Sequence, residues 1–390
     1  METLRRRGAD RWFRERADQP EGAARDPLEP TPGWRGHHRI RKREDGACGF
    51  LSLEGRCRLH EELGADRKPL TCRLFPYSFH PAPSAVIVKT SFGCPTVVAN
   101  RGEPIGGGAR LDEIEVLRTE WFAGRRSGSP LRVFVEGRPI DAATLRVLRE
   151  NLLAVLARVN ADGTRDLRQN MLRVAHTLED LTRSRVVRLT DADFAEYVAL
   201  TTGFAATTPQ AVEPRPETRV GRLLQHGFLF VVAAMRLRIE YGRAPRWRIR
   251  LATLRLLAHF HRLAPAFGRV DLGVLRRTRL DLNAPEIQPL AYHYLRASIE
   301  GLGAGERPVL DDFAIAVSYL NAARALAVMN SAAGQSEGLP PRLVDRAAFG
   351  EALMEAVDLS HTGDRGVLGR ILGRFAGGTD AVYAFARRET

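Results

Sequence analysis

The spacing of apolar positions along this chain changes character near residue 109, and from there on it is helical. In RLDEIEVLRTEWFAG, Ile114, Leu117, Trp121 and Phe122 recur at three- and four-residue intervals and predict one buried stripe. DAATLRVLRENLLAVLARV repeats the pattern more strongly, with Asp141 placed to cap the first free amide groups. Further helices are predicted at 164–183, 190–203, 217–241, 246–264, 285–302, 309–331 and 343–358, and TDAVYAF at 379–385 starts a last short one. Breakers such as EYGRAPRW, LGAGERP and AGQSEGLPP separate them. SPLRVFVEGRPID, between the first two helices, reads as a small hairpin.

Residues 33–108 have another texture, with short apolar words broken by Gly and Pro. SAVIVKT at 84–90 is dense in β-branched residues and is the clearest strand in the chain. RCRLHEELG suits a short helix that ends at Gly64. Residues 1–32 are charged and proline-rich, with few large apolar residues besides Trp12 and Phe13, and read as a disordered tail. A chain of 390 residues is too long for one small core. The expected fold class is mainly α: a small irregular cysteine-containing lobe with little β at 33–108, then a large all-helical lobe at 109–390.

Composition narrows the function only slightly. The hydrophobic fraction of 44% is that of a folded protein, and Lys+Arg at 59 against Asp+Glu at 46 gives a net charge of +13. RLRIEYGRAPRWRIRLATLRLLAHFHR at 236–262 interleaves arginines with Tyr241 and Trp247, as nucleic-acid tracks do. Leu251, Leu254, Leu257 and Ala258 nevertheless form an apolar stripe there, and arginines opposite such a stripe are a solvated face. Nucleic acid is therefore not an expected partner. His259 and His261 are two residues apart and point to different sides of a helix, a poor metal pair.

PIGGGAR at 104–110 fits neither phosphate-cradling loop and reads as a joint between lobes. No Ser/His/Asp order or paired carboxylates mark a hydrolase. The start of the chain has no apolar core of a secretory signal, and GFLFVVAAM at 227–235 is far below the roughly 18 residues of a membrane span. The expectation is a cytoplasmic chain whose thiols stay reduced.

All four cysteines fall within 47 residues, in the spacing Cys48-x8-Cys57-x14-Cys72-x21-Cys94. The pattern lacks the paired CxxC knuckles of a zinc ribbon. Cys57 lies three residues before His60, which would put both on one face of a helical turn. Each cysteine is flanked by Gly, Pro or a bulky apolar residue, and tight turns of that sort aim backbone N–H groups at a thiolate. Four thiolates would close a tetrahedral zinc site or hold an iron–sulfur cluster, and thiolate chemistry suits both. The plain alternative is four small buried thiols that only pack.

The run from Asp45 to Ile105 resembles the YkgJ-type cysteine-cluster family, described as zinc- or iron-chelating domains, and more distantly the flagellin lysine N-methylases that carry the same cluster. The matching pieces are Cys48 with Phe50-Leu51, GRCRLH at 55–60, Leu63-Gly64, KPLTCRLFPY at 68–77 and SFGCP at 91–95. The resemblance implies a metal-binding protein in which Cys48, Cys57, Cys72 and Cys94 are the ligands of zinc, iron or an iron–sulfur cluster. It also implies an enzyme alternative, a protein-lysine N-methylase using S-adenosylmethionine on a partner protein. Against that stands the absence of any Rossmann-like pattern and of a CxxxCxxC motif. A metal-free helical scaffold or interaction protein is the third reading. Family members usually begin with a CxxCGxCC group, whereas this chain has no cysteine before Cys48; the expectation is that the true start lies upstream. His37, His38, His60 and His80 are the available supplementary ligands, each of them more ordinary as a surface or packing histidine.

Overall fold

A computed structural model describes residues 28–30, 38–40, 48–52, 56–81, 86–101, 105, 109–123, 133–135, 138–183, 186–208, 211–213, 280–303, 308–333 and 346–362. Among these residues the protein is mainly α, with ten α-helices and three two-stranded antiparallel sheets. The helices expected at 217–241, 246–264 and 379–385 lie outside the described residues, as does most of the 1–32 tail. The chain divides into two compact units, one of Met1–Phe75 with Ile105–Arg126, the other of Pro76–Pro104 with Ser127–Thr390.

In the first unit, β1 (Leu28–Pro30) pairs with β2 (His38–Ile40) in the register Leu28↔Ile40. A narrow loop then brings Leu51 opposite Cys57. Helix α1 (Arg58–Leu63) follows and stops where the sequence placed its end, at Gly64, whose φ of 82° is open to glycine at no steric cost. Helix α2 (Leu70–Leu74) starts after Pro69. Phe50 and Leu59 are buried together, with Ile40, Cys48, Cys57 and Leu63 packed around them.

The second unit opens with a hairpin. β3 (Tyr77–Pro81) pairs with β4 (Val86–Thr90), the strand read at 84–90, with Tyr77 opposite Thr90 and Phe79 opposite Val88. Helix α3 (Pro95–Val98) follows at once. In chain order the next helix, α4 (Ala109–Phe122), belongs to the first unit and lies against α2; Ile114 and Leu117 of its stripe are buried, while Trp121 and Phe122, in its last turn, are only half-buried.

Back in the second unit, β5 (Val133–Val135) and β6 (Arg138–Pro139) form the small hairpin expected there. The helical body consists of α5 (Ala142–Ala157), α6 (Leu167–Arg183), α7 (Asp191–Thr207), α8 (Gln288–Glu300), α9 (Val309–Ala333) and α10 (Arg346–Thr362). Helix α9 packs on α6, α8 and α10. Its buried positions, including Ala314, Val317, Leu320, Ala323 and Leu326, run round the helix instead of down one stripe, as an enclosed helix requires. No helix among the described residues is long and apolar enough to cross a membrane.

The hairpin segment 76–104 was read as part of the cysteine lobe, yet it groups with the helical body, and three contacts explain why. Phe92 meets Tyr294 edge-on with ring centroids 4.9 Å apart. Lys89 runs so close to Gly301 that a Cβ there would stand 1.8 Å from its Cε. Val98 sits against Gly350, where a Cβ would lie 3.2 Å from its Cγ1.

Arg138 ties the second hairpin down in the same unit. It donates to the carbonyls of Leu189 and Thr190 at 3.0 and 3.1 Å, pairs with Asp191 at 2.9 Å, and lies over the Phe194 ring.

Asp141 caps α5 as the sequence indicated, accepting from the Ala143 and Thr144 amides at 2.8 and 3.0 Å and from the Thr144 hydroxyl at 2.5 Å. Partial burial opposes its charge, but these donors outweigh burial and hold the carboxyl below the usual aspartate range. A carboxyl depressed in the folded state contributes stability above its unfolded pKa and loses it as pH falls through the folded value. Asp141→Ala is therefore expected to cost about 1 kcal/mol at pH 7 in denaturant unfolding. The difference between the two proteins should shrink in acid below the ordinary aspartate range; a constant difference would refute the cap as its source.

Candidate metal centre

Three of the four cysteines are delivered to the first unit by separate local structures. Cys48 sits in a turn closed by the Leu51 amide donating to its carbonyl at 3.0 Å. The chain returns with Ser52 N donating to Arg56 O at 2.8 Å and Arg58 N to Phe50 O at 2.9 Å, which sets Cys57 beside the Phe50–Leu51 strand. Cys57 occupies the cap position of α1, where its carbonyl accepts from His60 and Glu61 but its thiol makes no capping bond. Cys72 lies inside α2, its amide donating to Pro69 O at 2.9 Å.

These three cysteines form no disulfide, each is half-buried, and the charges of Cys48 and Cys57 reach Cys72. Burial first, then the negative charge that Cys48 and Cys57 carry when ionised, push the Cys72 thiol above its ordinary value. The Thr71 hydroxyl and the Lys68 ammonium offset part of that rise.

Cys94 lies in the second unit. It caps α3, with its amide donating to Ser91 O at 3.1 Å, its carbonyl accepting from Val98 N at 3.0 Å, and Pro95 as the first helical residue. The structure therefore brings Cys48, Cys57 and Cys72 into one unit and carries Cys94 in the other.

Cys57 stands at the cap of α1, which begins at Arg58, and His60, three residues on in the first turn, is exposed. His80 belongs to β3 and shares a hydrogen bond with Ser78 at 3.1 Å. His37 lies outside the described residues, and of His38 the described part is its backbone in β2.

No family model, curated protein or solved structure matches this chain. Its chemistry is argued from its own residues.

The donor set fits a thiophilic metal. Three cysteine sulfurs in one small unit are the ligand type that zinc and iron–sulfur clusters take. Among the described residues, no three His, Cys, Asp or Glu side chains already stand in an arrangement that could hold an ion. Binding would draw the thiols together, as it does in small domains whose ligand set closes only around its metal.

Two features of the surroundings carried no signal in the sequence. His293 on α8 donates to the Val97 carbonyl of α3 and packs on Phe92 at 5.1 Å; burial, then Arg296, lower its pKa, while the bond to Val97 and Glu300 work against that. Arg73 pairs with Glu120 from 47 residues away. Neither residue stands in a recognisable motif, and only the fold makes the pairs neighbours.

With its pKa raised, Cys72 holds less thiolate at neutral pH than free cysteine. Its alkylation by iodoacetamide at pH 7.5 should be slower than that of free cysteine and should catch up only above the ordinary thiol range. Peptide mass spectrometry after timed labelling across a pH series reads this directly. A rate equal to free cysteine at pH 7.5 would show that its neighbours do not suppress ionisation.

Proposed function

We propose that this chain is a metal-binding cysteine-cluster protein, taking zinc or iron through Cys48, Cys57 and Cys72, with Cys94 as the fourth ligand that the family resemblance implies. The observation that carries the reading is that Cys48 and Cys57 pack on the same Phe50–Leu59 cluster and that their charges reach Cys72, which comes from a third local structure. Chance packing of small thiols needs no such convergence. A reducing cytoplasm would keep these groups available as ligands.

Magnitudes favour a structural role for the ion. The buried pair Phe50 and Leu59 contributes about 1.5–3 kcal/mol per side chain, while ordering each backbone residue costs about 1–2 kcal/mol. A thiolate-bound zinc contributes on the order of 10 kcal/mol near neutral pH, so it would dominate the stability of the loop and short helices that carry the cysteines. When bound, the ion supplies a multivalent cross-link between those segments. The chain's own contribution is to present sulfurs, exclude part of the solvent and release protons. Affinity is expected to fall in acid, because protons compete for the same sulfurs and Cys72 holds its proton more tightly than usual.

Full-length protein purified without oxygen and analysed for metals and acid-labile sulfide should contain about one zinc, or iron with sulfide and a visible absorption band. Cys72→Ser should lower the bound metal at least tenfold, and chelator should lower the melting temperature of the wild type but not of the variant. Wild-type protein that holds no metal and takes up none on reconstitution would overturn the reading. Cys94→Ser is expected to behave as Cys72→Ser does; undiminished metal in that variant would restrict the ligands to the first unit.

A further inference from the structure

Among the described residues, strand β4 pairs with β3 and with no other strand, in a register that runs from Tyr77↔Thr90 to Pro81↔Val86. The Ser91 amide donates to the Pro76 carbonyl at 2.8 Å, which fixes the phase of the ladder. Ser78 with Lys89 and His80 with Ile87 are then the hydrogen-bonded pairs, and the backbone amides and carbonyls of Val86, Val88 and Thr90 point away from β3. None of these outward groups has a partner among the described residues. All five residues of β4 are partly exposed.

The two edges of this hairpin are built differently. The outward positions of β3 are Tyr77, Phe79 and Pro81; Phe79 is buried and Pro81 has no amide hydrogen, features that keep an edge from pairing. β4 has no proline and no bulge, and Val86, Ile87, Val88 and Thr90 are all β-branched. A lysine often guards such an edge, but the stem of Lys89 runs against Gly301 at the end of α8. The β4 edge is therefore open to a further strand.

The strand that fits it is β4 itself. A two-fold axis at Val88 sets two copies antiparallel, with Val88 opposite Val88, Val86 opposite Thr90 and Ile87 opposite Lys89. Each outward amide and carbonyl then meets a complementary group, and a shift along the strand would leave some of them unpaired. Val88 and the Val86–Thr90 pairs are β-branched on both sides. Lys89 meets Ile87 of the second copy, so no like charges face one another in a chain whose net charge is +13.

We propose that β4 is a self-association edge, through which two copies of this chain join by antiparallel β4–β4 pairing centred on Val88. The pairing turns two hairpins, each marginal as two strands, into one four-stranded sheet. It uses none of the cysteines and stands apart from the metal-binding reading.

The test is sedimentation velocity on the full-length chain in reducing buffer, over a concentration series. Wild type should pass from monomer to dimer below about 100 μM. Val88→Pro removes an outward amide and spares the ladder with β3, and should weaken the dimer about tenfold. Val86→Lys with Thr90→Lys sets like charges opposite one another across the axis and should also weaken it about tenfold. Val86→Glu with Thr90→Lys alters the same two positions but places opposite charges together, and should stay within about threefold of wild type. Circular dichroism checks that each variant keeps its helices. A wild type that stays monomeric throughout overturns the proposal and leaves the edge to a strand of another protein. A dimer that the proline and double-lysine variants leave unweakened overturns it, because its interface lies elsewhere. Equal weakening by the two charge variants overturns the register centred on Val88, and with it the proposal.

Discussion

Ionising the Cys72 thiol is opposed first by its burial and then by the charges that Cys48 and Cys57 can carry. Each negative charge raises the cost of the next, as the upward shift of Cys72 by Cys48 and Cys57 records. Lys68 offsets part of it, and the guanidinium one residue away is committed to Glu120. Burial and these neighbouring charges together favour the protonated Cys72 thiol. A protein that only needed small apolar volume at these places would meet no such electrostatic conflict with alanine or valine.

The second unit obeys a different rule. Its stability comes from burial: α9 is enclosed by α6, α8 and α10, and fully buried positions such as Leu152, Leu178, Leu295, Phe313 and Leu353 come from five different helices. Two asparagines enclosed there are well partnered. Asn170 donates to the carbonyls of Leu156 and Arg158 at 3.0 and 2.8 Å, and Asn151 donates to Thr202 at 2.7 Å.

What could be read from the sequence was local. The Asp141 cap, the end of α1 at Gly64 and the apolar faces of the long helices depend on residues a few positions apart, where periodicity and side-chain chemistry act directly. The strand at 84–90 was visible for its β-branched residues, whereas its partner Tyr77–Pro81, bounded by prolines, was not. The longer-range contacts left no local trace: Arg73 with Glu120, Phe92 with Tyr294, Lys89 under Gly301. In the candidate site the cysteines were legible, but their long-range neighbours were not.

The order of the chain gives this last point weight. It leaves the first unit after Phe75, contributes the hairpin, Cys94 and α3 to the second, and re-enters the first at Ile105 to supply α4. A break at the change of texture near residue 109 would therefore not release an intact cysteine lobe. It would keep α2 but remove the helix that α2 lies against, leaving Arg73 without Glu120 and Leu74 without the buried face of α4. It would also retain a hairpin whose Phe92 and Lys89 have lost Tyr294 and Gly301. The cysteine-rich texture marks where the ligands are written in the sequence, but the structure that holds three of them is assembled from both sides of that boundary.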